Sequence, residues 1–270
     1  MIPARDGLKL HGYLTLPLGI AQKNLPTVLL VHGGPWARDE WGYNSTVQWL
    51  ANRGYAVLQV NFRSSTGFGK KFLHAGDKQW GAAMQDDLTD AVRWAIQRGV
   101  ADPKRVAIMG GSYGGYATLA GLTFTPDLYA CGVDIVGPSN LKTLLEATPP
   151  YWATMRKMLY LRMGEVDKDS VFNRKVSPMY HVDAVRAPLL IGQGANDPRV
   201  NIRESTQMVE AMRARGLSVE YVVYADEGHG FARPQNRLDF YGRAEQFLAK
   251  YIGGRAETFA TIEGATADLK

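Results

Sequence analysis

The sequence predicts an α/β fold: a mainly parallel central sheet with helices on both faces. Three observations carry this. Strand patterns alternate with helix patterns from residue 27 onward, as they do when crossover helices join parallel strands. Residues 27–31 and 105–109 are short apolar runs, the mark of strands covered on both sides. The run Gly110-Gly111-Ser112-Tyr113-Gly114 lies where a strand pattern meets a helix pattern. At 270 residues and 46% apolar, the chain is long enough to bury a sizeable core as one domain.

In chain order, residues 8–14 read as the first strand. Residues 27–31 read as the next and end in the loop His32-Gly33-Gly34-Pro35, and residues 55–60 give a further core strand. Met84, Leu88, Ala91, Val92 and Ala95 recur at helical spacing and predict a helix face laid on the sheet. The strand at 105–109 runs into the glycine-serine motif, and residues 113–123, rich in Ala, Leu and Gly, predict the helix after it. A Gly-x-Ser-x-Gly at such a junction is the nucleophile elbow of the α/β-hydrolases, which fixes the fold expectation within the α/β class. The turn is tight enough to strain the serine, so Gly110 and Gly114 are needed beside it and Gly115 lets the helix pack close. A dinucleotide-binding turn needs Gly-x-Gly-x-x-Gly, and Ser112 occupies its second glycine position. Gly-Lys-Ser and Gly-Lys-Thr occur nowhere, which excludes a P-loop.

In this fold the nucleophile is followed along the chain by an acid and then by a histidine. Of the five histidines only His181 and His229 follow Ser112. No carboxylate on a strand end separates His181 from the serine. His229 lies in a glycine-flanked loop after the strand pattern at 219–224, where a mobile imidazole belongs, and is the expected base. The strand pattern at 188–191 leads into Gly192-Gln193-Gly194-Ala195-Asn196-Asp197-Pro198-Arg199-Val200, whose one carboxylate, Asp197, is the expected acid. Asp226 and Glu227 compete for that role but are too near His229 in sequence to reach its far nitrogen easily. The backbone N–H of Tyr113 is one expected oxyanion donor. Gly34 supplies the second, from the loop after an early strand. His32 is expected to brace that loop by hydrogen bonding. No His-Glu-x-x-His or paired-cysteine pattern suggests a metal.

Residues 140–182, with Pro149-Pro150, Trp152 and several methionines, interrupt the alternation and predict a helical insertion over the pocket. Trp152 lines the acyl or side-chain pocket in one reading; in the others it packs the core or a contact between subunits of a homo-oligomer. Phe240, Tyr241, Ala244, Phe247, Leu248 and Tyr251 predict a last helix, closing the domain at residue 252. Residues 253–270 lack a clear period and are expected to form a loosely held tail. The single cysteine, Cys131, excludes an internal disulfide and falls in a strand pattern, where a buried, inert thiol is expected. The net charge of +5 is scattered, without the basic patch of a nucleic-acid binder. No stretch approaches the ~20 apolar residues of a membrane span, and no signal segment opens the sequence. These features predict a cytoplasmic protein with no nucleic-acid or membrane partner.

The motifs together resemble the catalytic domain of the prolyl oligopeptidase family, in its acylaminoacyl-peptidase and dipeptidyl-aminopeptidase-like branch. The resemblance rests on His32-Gly33-Gly34-Pro35, Asn61-Phe62-Arg63-Ser64-Ser65-Thr66-Gly67-Phe68-Gly69, Gly110-Gly111-Ser112-Tyr113-Gly114-Gly115-Tyr116, Gly194-Ala195-Asn196-Asp197-Pro198-Arg199-Val200 and Asp226-Glu227-Gly228-His229-Gly230-Phe231. It implies a Ser112–Asp197–His229 triad and an Arg199 that grips a substrate backbone carbonyl; a surface ion pair is the other role open to Arg199. Members of the family usually have glycine where this chain has Ser64, so a differently shaped loop is expected there. They also carry a β-propeller ahead of this domain, whereas the first strand pattern here begins almost at Met1. That leaves a catalytic domain taken from a larger peptidase, or a stand-alone hydrolase with an open site.

The expected chemistry is cleavage of short peptide or acyl-amide bonds through an acyl-Ser112 intermediate, without a cofactor. The alternative is a carboxylesterase using the same triad on small acyl esters. A catalytically idle binding domain is disfavoured by the intact Ser-Asp-His order.

Overall fold

The computed structural model describes residues 1–148 and 150–270. Its elements are β1 (Ile2–Pro3), β2 (Lys9–Thr15), β3 (Leu25–Val31), α1 (Ser45–Asn52), β4 (Ala56–Asn61), α2 (Lys70–His74), α3 (Ala83–Gln97), β5 (Ala101–Gly111), α4 (Tyr113–Phe124) and β6 (Cys131–Ile135). They continue through α5 (Leu141–Glu146), α6 (Arg156–Met163), α7 (Ser170–Lys175), β7 (Leu189–Gly194), α8 (Arg203–Arg213), β8 (Val219–Tyr224), α9 (Pro234–Ile252) and β9 (Ala267–Leu269).

The strands form one sheet in the order β1-β2-β4-β3-β5-β6-β7-β8-β9. From β4 to β8 every ladder is parallel, and antiparallel β1, β2 and β9 finish the two edges. Because side chains alternate along a strand, β5 sends Val106 and Ile108 to one face and Ala107 and Met109 to the other. The first face packs against α3, α4 and α8, the second against α1 and α9. This is the predicted α/β architecture. The chain leaves β3 for β4 on one side, then crosses back to β5 on the other. The strand order therefore reverses between β3 and β5, and the loops leaving those two strands open a crevice, the usual ligand position in such sheets.

Between β6 and β7 the chain forms α5, α6 and α7 with 3-10 turns at Pro150–Met155 and Pro178–Ala184. Pro149, within the predicted insertion, lies outside the described residues. Leu141, Leu145, Leu159 and Met163 of this segment join the core on the α4 side of the sheet. Among the described residues no helix is long and apolar enough to cross a membrane.

The reading of residues 253–270 as a loose tail is corrected. Val222, Val223 and Tyr224 of β8 pair with Leu269, Asp268 and Ala267 of β9. The Thr266 N–H donates to Asn236 at 2.8 Å, and Phe259 packs over Gly242 of α9. Without β9 the last parallel strand would present a row of unpaired N–H and C=O groups. Three paired residues are too few to display a period in sequence.

Candidate active site

Ser112 is the hinge between β5 and α4. Its φ of 58° and ψ of −117° place a non-glycine residue in the left-handed half of backbone space, a strained conformation common at functional sites. The surroundings hold it there: the Ser112 N–H donates to Ile135 O at 2.8 Å, and α4 behind it is apolar and buried nearly throughout. Gly114 must be glycine because a Cβ there would lie 2.1 Å from the Val31 carbonyl oxygen. The elbow is thereby pressed against the end of β3.

The loops after β7 and β8 are joined to each other before they reach the serine. The Ala195 N–H donates to Tyr224 O and the Asn196 N–H to Glu227 O, both at 2.9 Å. Asp197 then lies 2.7 Å from His229 Nδ1, and His229 Nε2 lies 2.9 Å from Ser112 Oγ. An ionised carboxylate only accepts, so the imidazole hydrogen sits on Nδ1 and Nε2 is left to accept from the Ser112 hydroxyl. The other Asp197 oxygen accepts the N–H groups of Arg199 at 2.8 Å and Val200 at 2.9 Å. The Asp197 side chain is fully buried and that of His229 is partly buried, so each orients the other.

Asp226 and Glu227, the competing acids, are engaged elsewhere. Asp226 pairs with Arg233 and accepts from Asn236. Glu227 accepts from the N–H groups of Ala232 and Arg233, each at 2.8 Å, and from Asn236 Nδ2 at 2.9 Å. Glu227 thus closes the loop that presents His229. That function is invisible in sequence because it depends on a helix that begins seven residues later.

Gly34 and Tyr113, the expected oxyanion donors, line one cleft of about 240 Å³ with Ser112, His229, Arg199 and Trp152. The Tyr113 side chain is buried, edge-on to Trp80 at 4.6 Å. Tyr113 opens α4, where N–H groups have no partner within the helix. Trp152 lines the cleft and also packs against the core. Trp36 and Trp80, which sequence reading did not identify, join Leu159 and Met163 of the predicted insertion in an apolar wall; the distance of Trp36 and Trp80 along the chain from that insertion leaves no local signal.

His32 does brace the loop after β3. Its Nδ1 lies 2.8 Å from Gly33 O and its Nε2 3.0 Å from Ser65 Oγ, and burial pushes its pKa down to about 4. Ser64 takes a φ of 84°, the left-handed conformation that glycine would adopt freely, so serine here keeps a glycine-like turn. Its hydroxyl donates to Leu73 O at 3.1 Å. Cys131 is a buried free thiol whose pKa burial raises to about 12.

Residues 41–255 match the family described as the prolyl oligopeptidase family. This chain belongs to that family. Among its relatives it is 58% identical over 265 residues to dipeptidyl aminopeptidase BIII of Pseudoxanthomonas mexicana, covering 95% of this chain and 38% of that protein. It is 48% identical over 259 residues to dipeptidyl peptidase family member 6 of Caenorhabditis elegans, covering 94% of this chain and 34% of that protein. The chain therefore spans little more than a third of the length of these relatives. A solved puromycin-hydrolyzing peptidase of Mycobacterium tuberculosis superposes with a TM-score of 0.89 at 28% identity, covering 95% of this chain and 39% of that one. The family's α/β-hydrolase fold is the fold of this chain.

Proposed function

We propose that this chain hydrolyses short peptide or acyl-amide bonds through an acyl-Ser112 intermediate. The observation that carries the reading is the hydrogen-bonded line Ser112–His229–Asp197, with distances of 2.9 and 2.7 Å, opening on a cleft. His229 Nε2 accepts the proton as Ser112 Oγ attacks the carbonyl carbon. Asp197 stabilises the imidazolium that forms, and its fixed orientation keeps Nε2 toward the serine. The Tyr113 and Gly34 N–H groups receive the developing oxyanion. His229 then protonates the departing amine, water enters, and the same imidazole activates it to release the acid. Arg199 extends from the acid loop to hold a carbonyl of the substrate, while the apolar wall receives a side chain.

The three proteins named above are all called peptidases, which favours amides over esters. The test is turnover of an acyl-dipeptide amide and the matching ester by the native chain and by Ser112→Ala. Cleavage of both by the native chain, with both lost in the variant, supports the reading. Ester cleavage alone would make the chain a carboxylesterase. No cleavage of either, together with no labelling by a fluorophosphonate, would remove the acyl-transfer reading.

A further inference from the structure

The second oxyanion donor is held from behind. Gly33 and Gly34 share a trans peptide unit, so the Gly33 C=O and the Gly34 N–H point in opposite directions within one plane. Whatever fixes the carbonyl fixes the N–H. The Gly33 oxygen lies 2.8 Å from His32 Nδ1. A carbonyl oxygen only accepts, so Nδ1 carries the hydrogen, and Nε2 must accept from the Ser65 hydroxyl at 3.0 Å. Ser65 is fully buried, and its N–H donates to Phe62 O at 3.0 Å. Phe62 in turn stacks on the His32 ring, 4.4 Å between centroids and 13° from parallel. The neighbouring Thr66 N–H reaches Ala37 O at 2.9 Å, tying the same turn to the far end of the oxyanion loop.

We propose that Ser65, acting through His32, is a positioning residue for the oxyanion donor. By donating to Nε2 its hydroxyl stabilises the Nδ1–H tautomer that holds the Gly33 carbonyl, and the rigid peptide directs the Gly34 N–H into the cleft beside Ser112. The burial that keeps His32 neutral keeps Nε2 available as an acceptor. Ser65 touches no reacting atom, and the inference rests on the acyl-transfer reading of Gly34.

The test compares Ser65→Ala with the native chain in hydrolysis of the acyl-dipeptide amide and in affinity for a phenylalkyl boronic acid, which forms a tetrahedral adduct with serine. Because the oxyanion contact strengthens in the transition state, kcat is expected to fall about 10- to 100-fold. Outright loss of one donor costs about 10²–10³. Boronate affinity is expected to fall in parallel, with KM within about twofold. A folded Ser65→Ala with unchanged kcat and boronate affinity, or with only KM raised, overturns the proposal while the active native chain preserves the acyl-transfer reading. An inactive, unlabelled native chain removes both. Independently of how the variant folds, ¹⁵N NMR of the native imidazoles must show His32 protonated at Nδ1 and not at Nε2; the opposite tautomer overturns the proposal.

Discussion

Arg63 and Asp87 form a buried, two-pronged ion pair. Arg63 Nη2 and Nε donate to the two Asp87 oxygens at 2.7 and 2.9 Å, and the Arg63 backbone N–H adds a third bond at 2.8 Å. Asp87 is fully buried on α3. The pair therefore anchors to α3 the turn that carries Ser65, and Arg63 reaches Asp6 as well at 2.8 Å.

Removing one partner of such a pair leaves an uncompensated buried charge. Burial already pushes the Asp87 carboxyl above its ordinary range, against the pull of Arg63. Arg63→Ala is expected to destabilise the fold by about 3–5 kcal/mol. The double variant Arg63→Met/Asp87→Leu should recover part of that loss, the remainder being the buried Arg63 N–H left without its acceptor. Urea denaturation of the single and double variants checks this; equal losses in both would show that shape, not the unpaired charge, sets the cost.

Asp197→Asn keeps an oxygen for the N–H groups of Arg199 and Val200 but turns an NH₂ toward His229 Nδ1. The imidazole then carries its hydrogen on Nε2 and cannot accept from Ser112. A fall in kcat of about 10⁴ is expected, with stability and KM little changed. Steady-state kinetics beside a thermal melt separate this from simple unfolding.

Gly114→Ala drives a methyl to within 2.1 Å of the Val31 carbonyl oxygen, backbone that cannot swing aside. The expected cost is about 3 kcal/mol or more, with Ser112 displaced and turnover lost together. Gly216→Ala is the control: its φ is +67°, but nothing lies within 4 Å. It should cost only about 1–2 kcal/mol of backbone strain and spare activity. Chemical denaturation and peptide turnover on both variants make the comparison.

Asp134, at the end of β6, is a strand-end carboxylate between Ser112 and His181, contrary to the sequence reading; its pKa is raised by burial to about 7, although Oδ1 accepts the Gly137 N–H at 2.9 Å. Its folded pKa lies above the unfolded value of 3.8, so the stability it contributes is present below that value and disappears as pH rises through about 7. The loss is at most about 4 kcal/mol. Asp134→Asn should flatten the decline between about pH 4 and 7. Denaturation midpoints measured across that range decide it: parallel slopes in the two proteins would contradict the assignment.

Features set by local sterics or a short period were legible in the chain. The elbow is one, since only glycines tolerate the contacts around Ser112. The strand at 105–109 and the helix after it are others, because their apolar patterning is continuous. The loops carrying Asp197 and His229 were located by following the strands before them. Trp36 and Trp80 were not legible, because a cleft wall gathered from three separate segments has no local pattern.

The sequence by itself determined the α/β architecture, the position of Ser112 at a strand-to-helix turn, and the order in which an acid and a histidine follow it. These depend on neighbours within a few residues. Only the tertiary structure decided that Glu227 closes the His229 loop, that residues 267–269 finish the sheet, and that Ser65 meets His32 from 33 positions away. Such contacts depend on which strands the sheet places side by side. The order β4-β3-β5 brings the loops of distant segments to one crevice, and sequence separation carries no record of that adjacency.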